Sequence, residues 1–139
     1  MSTETSPLIG LYQLCLLAEQ KGLLGAPTFH LGLLVNAPHG TVTGQVHITQ
    51  AVTPPSGAVT VNVTGTLHEL VFGPTVTKVL TLSGQYIVSF PPPAIGSYLA
   101  HFSATIVFHG NGWVNGLGNF HWANHIDNNV PTNSIACPK

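Results

Sequence analysis

The chain has 139 residues, a formal net charge of −1 and only 5% charged side chains, against about 25% in an average domain. Arginine is absent; Lys21, Lys78 and Lys139 are the basic side chains besides histidine, and Glu4, Glu19, Glu69 and Asp127 are the acids. Three scattered lysines cannot neutralise a run of phosphates, which argues against nucleic-acid partners and against charge-driven attachment to anionic lipid.

The length suits one domain over 1–139, with a flexible tail at 1–7 and an extended tail at 128–139. Met1–Pro7 is polar and lacks a cationic start, and Leu8–Ala18 is interrupted by Tyr12, Gln13 and Cys15. That is no secretory leader, so synthesis in the cytoplasm without a Sec signal is expected, with release left open. Leu14–Leu24 is the one stretch that reads as helix, and its first half reads equally as strand.

From there, alternation of apolar and polar residues dominates, which is the signature of half-buried strands. Thr28–Asn36 puts Phe29, Leu31, Leu33 and Val35 on one face. Thr41–Gln50 opposes Val42, Val46 and Ile48 to Thr41, Thr43, Gln45, His47 and Thr49. In Ala58–Leu70, Val59, Val61, Val63 and Leu67 oppose Thr60, Asn62, Thr64, Thr66 and His68. Val76–Phe90 is a further candidate strand. From Ser97 to Phe108, Tyr98, Ala100, Phe102, Ala104, Ile106 and Phe108 oppose Ser97, His101, Ser103 and Thr105. The breaks fall at Gly25–Pro27, Ala37–Pro38, Thr53–Gly57, Gly73–Pro74 and Pro91–Pro93, and Asn111-Gly112 and Asn115-Gly116 are hairpin dipeptides. About eight short-linked strands predict an all-β fold, an antiparallel β-sandwich or a small β-barrel. Cys15 and Cys137 read as free thiols, one buried in a strand and one on a loose tail; the alternative is a bridge joining the two ends.

The segment GAPTFHLGLLVNAPHGTVTGQVHITQAVTPP, Gly25–Pro55, resembles a bacterial family known as domain of unknown function family 1842. The resemblance lies in a GAP turn before a strand ending LLV, then a Pro, TV.G, ITQA and a double proline. Trp113, Gly116, Phe120 and Trp122 continue it. It implies a small all-β protein and carries over no catalytic residue.

The stretch HGNGWVNGLGNFHWANH, His109–His125, concentrates the chemistry-bearing side chains. His121 and His125 would share a face on a helix, but four residues of strand span about 13 Å, so one ion cannot bridge both. A metal would need His101, His109 or Asp127 from neighbouring strands, and none is expected. Glycines at 110, 112, 116 and 118 lack the following helix and the lysine of a phosphate loop, and read as turns. Only Glu69 and Asp127 could serve as paired carboxylates, and no GxSxG elbow is present, so neither an enzyme nor a cofactor is expected. With a turn near Asn115–Gly118, Trp113 would meet Phe120 or Trp122 across a ribbon. Facing inward these rings are core. Facing outward with Asn115, Asn119 and His121, Trp113 and Trp122 would form a neutral stacking platform.

The expected function is therefore non-catalytic recognition of a neutral ligand, a glycan or a host-cell surface receptor. The alternative is an insecticidal or membrane-active toxin component that inserts the Val59–Leu70 and Val76–Phe90 hairpin. A further alternative is a structural protein without a small ligand. Weak net charge opposes association little, so a homo-oligomer is expected.

Overall fold

In a computed structural model, the described residues are 10–20, 26–50, 58–89, 93, 95–110, 112–122 and 125–137. They form eight strands: β1 Leu11–Glu19, β2 Thr28–Asn36, β3 Thr41–Thr49, β4 Ala58–Phe72, β5 Thr75–Ser89, β6 Ser97–His109, β7 Gly116–Trp122 and β8 His125–Ser134. Each pairs antiparallel with the next, and β8 returns to pair with β1. The result is a closed up-and-down barrel rather than a sandwich. Closure removes the two free edges that one open sheet would present.

The alternation read from the sequence becomes an inside and an outside. Phe29, Leu31, Leu33 and Val35 of β2, Val42, Val46 and Ile48 of β3, and Ala100, Phe102, Ala104, Ile106 and Phe108 of β6 all point into the core. Tyr98 stays exposed, because its end of β6 runs past the last pairing with β7. Eight strands enclose just enough room for side chains. An aromatic stack fills one end, with Phe29 and Phe120 parallel at 4.1 Å and Trp122 edge-on to Phe29 at 6.3 Å. Small residues make that filling fit. Gly116 and Gly118 face inward on β7, where a Cβ would press on the rings of Phe108 and Phe120 respectively. These two glycines, which the sequence placed in a turn, are packing positions. Gly65 of β4 marks a tighter approach, since a Cβ there would collide with the Thr81 carbonyl oxygen of β5.

Four further expectations change. Leu11–Glu19 is strand, which settles the helix-or-strand ambiguity for its part of Leu14–Leu24; residues 21–25 lie outside the described ones. Residues 128–134 of the supposed C-terminal tail belong to β8, while the 1–7 tail lies outside the described residues. The cysteines are not free: Cys15 and Cys137 form a disulfide with a Cα–Cα distance of 5.3 Å. The turn of the last long hairpin falls at 110–115, before β7, so Trp113 lies in the turn and not in a strand.

Candidate functional site on the outer face of the barrel

The five residues singled out from the sequence do not gather on one surface. Trp122 faces the core, is 5% exposed, and donates its indole N–H to Asp127 Oδ2 at 3.1 Å. Trp113 is at the other end of β7. Its ring lies edge-on to Phe108 at 5.2 Å and under the Lys78 ammonium at 4.9 Å. Lys78 points inward, is 3% exposed, and donates from Nζ to the carbonyls of Gly110 at 2.7 Å and Gly112 at 3.0 Å. Burial lowers the Lys78 pKa, and Glu69, its cross-strand neighbour, opposes that shift. Trp113 and Lys78 thus hold the 110–115 turn over one barrel end.

The two asparagines sit at backbone irregularities. Asn115 takes a left-handed conformation, φ 57°, and its N–H donates to Asn133 Oδ1 at 2.7 Å. Asn119 Oδ1 accepts the N–H of Asn129 at 3.0 Å, where β8 bulges against β7 and Asn129 also has φ 57°. A bulge leaves a ladder amide without its partner strand, and the Asn119 side chain supplies the acceptor. His121 is exposed on the outer face with no such duty shown.

His121 belongs to a larger pattern. Because β3 to β7 pair in register, their outward residues form rows around the barrel. One row is Thr43, Thr64, Ser83, Ser103 and His121; the next is Gln45, Asn62, Gln85 and His101; a third is Thr41, Thr66, Thr81, Thr105 and Asn119. No charged side chain interrupts them. Within the amide row Gln45 Nε2 donates to Asn62 Oδ1 at 3.0 Å, and Gln85 Nε2 lies 3.4 Å from His101 Nδ1. Such side chains offer both donors and acceptors. Gly84, between Ser83 and Gln85, is turned toward the core, where a Cβ would meet the Asn62 carbonyl oxygen and the Val61 side chain. A groove of about 510 Å³ lies over this stretch, lined by Asn62, Thr64, Ser83, Gln85, His101 and Ser103 above the strand backbone at Val63, Gly84 and Phe102; the Val63 and Phe102 side chains face the core. That combination, a shallow floor of strand backbone within a rim of neutral hydrogen-bonding groups, suits a polar uncharged ligand.

The acids are placed apart from this groove. Glu69 lies near the β4–β5 turn, and Asp127 near the opposite end with Trp122. Among the described residues, no three of His, Cys, Asp and Glu converge as metal ligands.

A family model for a domain of unknown function, DUF1842, matches residues 9–127. The chain belongs to this family. The DUF1842 match spans β1 to β7 and ends inside β8, so it takes in every residue of the groove and Cys15 but not Cys137. No curated protein matches the chain.

The alternation already turned Asn62, Thr64, His101 and Ser103 outward; Ser83 and Gln85 sat in a candidate strand whose faces were not assigned. Their meeting depended on which strands neighbour one another and on the register, which periodicity alone does not give.

Proposed function

We propose that this DUF1842 domain is a non-catalytic binding protein whose outer face recognises a neutral polyhydroxylated ligand, a glycan at a host-cell surface. What supports the reading is the uncharged row of Gln45, Asn62, Gln85 and His101 beside the groove at Gly84. Sugar hydroxyls both donate and accept, and amide and imidazole groups match them without the desolvation cost of a charge. The binding residues are then Asn62, Gln85, His101 and Ser103 with His121 at the margin. Trp113 and Trp122 serve the barrel.

A glycan array with the wild-type domain, Asn62→Ala and Gln85→Ala tests this. Binding by the wild type and a loss of about tenfold or more in each variant is expected, as one or two hydrogen bonds to a ligand are worth about 1.4 kcal/mol or more. No binding by the wild type, or unchanged affinity in variants that keep the wild-type circular dichroism, would overturn it.

A second reading is a membrane-active toxin component. It draws support from the β4–β5 hairpin, whose two 15-residue strands exceed the roughly 9–11 residues that cross a bilayer. Its tip exposes Leu70 and Val71. The closed barrel is apolar inside and polar around its waist, the inverse of a membrane barrel, so insertion requires the hairpin to leave it. Dye release from liposomes on adding the domain supports this reading; intact liposomes across pH 5 to 10 would count against it.

A further inference from the structure

The seam between β1 and β8 differs from every other strand junction in the barrel. β1 pairs with β2 through nine residue pairs and β5 with β6 through thirteen, yet β1 meets β8 at only three: Leu16 with Ser134, Leu17 with Asn133 and Ala18 with Thr132. At one end of the ladder the limit is visible in the chain. The N–H of Ile135 donates to the Cys15 carbonyl at 2.9 Å, so alternate residues of this segment, Asn133 and Pro131 among them, turn their backbone toward β1. Pro131 has no N–H to give, and the ladder stops there.

Just past the other end of this short ladder sits the disulfide. Cys15 points outward from β1 and Cys137 follows Ile135, so the bridge pins the end of the chain across the seam. Gly32 lies opposite Cys15 on β2, and its lack of a side chain leaves the shallow space beside the bridge that Gln13, Leu34 and Thr43 border. Cys15 is buried and Cys137 partly exposed, so Cys137 is the sulfur a thiol reaches first.

On the far side, β8 is anchored to the body of the barrel independently of β1. Ser134 N–H donates to the Trp113 carbonyl at 2.8 Å, and Asn133 Oδ1 takes the Asn115 N–H. β1 is held to β2 along its whole length. Each flank is thus secured to its own neighbour, and the disulfide is the one covalent tie between them.

We propose that Cys15–Cys137 is a reducible latch on the barrel seam, and that its reduction opens β1 from β8 while the rest of the barrel stays folded. The reductant is a thiol. A dithiol attacks Cys137 Sγ and breaks the S–S bond; a second attack by the same molecule releases Cys137, and the dithiol becomes a disulfide. Two electrons pass to the protein, and Cys15 and Cys137 each end as a thiol with one added proton. Opening leaves the inner face of β1, with Leu14, Leu16 and Ala18, beside an unpaired β8 edge. An apolar surface closed to solvent when oxidised is then uncovered when reduced.

Hydrogen–deuterium exchange on the full chain, with and without dithiothreitol, tests the latch, with Cys15→Ser/Cys137→Ser as a reductant-free control. Exchange at Leu17, Asn133 and Ile135, whose N–H groups face across the seam, is expected to rise about tenfold or more on reduction and equally in the double variant, while β3 to β6 remain protected and exchange more slowly than the seam. Unchanged exchange at the seam overturns the proposal. Loss of protection in β3 to β6 together with the seam and at the same rate also overturns it, because β1 then opens only with the whole fold.

Discussion

At the scale of single residues, Tyr86 stands out. It points into the barrel, and among the described residues its hydroxyl is buried without a hydrogen-bond partner. A buried unsatisfied hydroxyl costs stability, so Tyr86→Phe should stabilise the fold by about 1 kcal/mol, read as a higher urea midpoint with an unchanged slope. The same burial sets a pH response. Burial, and then the nearby Tyr98, raise the Tyr86 pKa above its ordinary 10.0; burial, and then Glu69, do the same for Tyr12. A phenol whose folded pKa is raised contributes stability that is complete below pH 10 and is lost as pH climbs through the folded value. Lys78 acts oppositely: its lowered pKa makes stability rise as pH passes from that value up to the ordinary 10.5. Two tyrosines against one lysine predict a net fall in stability above pH 10. Urea titrations across the alkaline range should show it, with a shallower fall in Tyr86→Phe.

At the scale of elements, the first half of the β6–β7 turn is held by a side chain reaching from β5. Lys78 gives two hydrogen bonds to turn carbonyls and lies over the Trp113 ring. Lys78→Ala removes both and should cost about 2–3 kcal/mol, with the Trp113 emission shifting to the red as the turn loosens. Between β4 and β5 the critical position is Gly65. Gly65→Ala would set a Cβ against the Thr81 carbonyl oxygen, a backbone atom in a paired strand that cannot step aside. A loss of about 3 kcal/mol or more in thermal or urea unfolding is expected. Gly73, in the β4–β5 turn, has no atom near its own Cβ position, but φ there is +61°, so a side chain would meet strain and not collision. The strand bounds and faces of β2, β3 and β6 were legible from alternation. The β6–β7 turn was not, because Gly116 and Gly118 carry a turn composition into a strand where ring packing demands their smallness.

For the whole molecule, the disulfide joins residues 122 apart in the chain. Closing so long a loop lowers the entropy of the unfolded chain, so reduction should lower global stability by up to about 4–5 kcal/mol in the chain-entropy model. Calorimetry of the oxidised and reduced domain reads this loss, separately from local exchange at the seam. Apolar side chains that remain exposed sit mainly toward the barrel ends: Leu70 and Val71 by the β4–β5 turn, and Ile87, Ile95 and Leu99 at the opposite end of β5 and β6. The waist between them carries the neutral rows.

The sequence by itself determined the class of fold, the approximate number of strands and which side chains of β2, β3 and β6 face inward. These follow from a period of two, a property of the local backbone. Its poverty in charge also determined that any surface here must work through neutral hydrogen bonds. Tertiary structure alone decided closure into a barrel, the pairing of Cys15 with Cys137 and the gathering of Asn62, Gln85 and His101 on one face. Each depends on which strands become neighbours and in what register, which is set by packing between residues far apart in the chain. Direction was the other decision left to packing. Trp122 turned inward because the barrel end offered Phe29 to pack on and Asp127 to accept its N–H, and Trp113 became the cover of the opposite end.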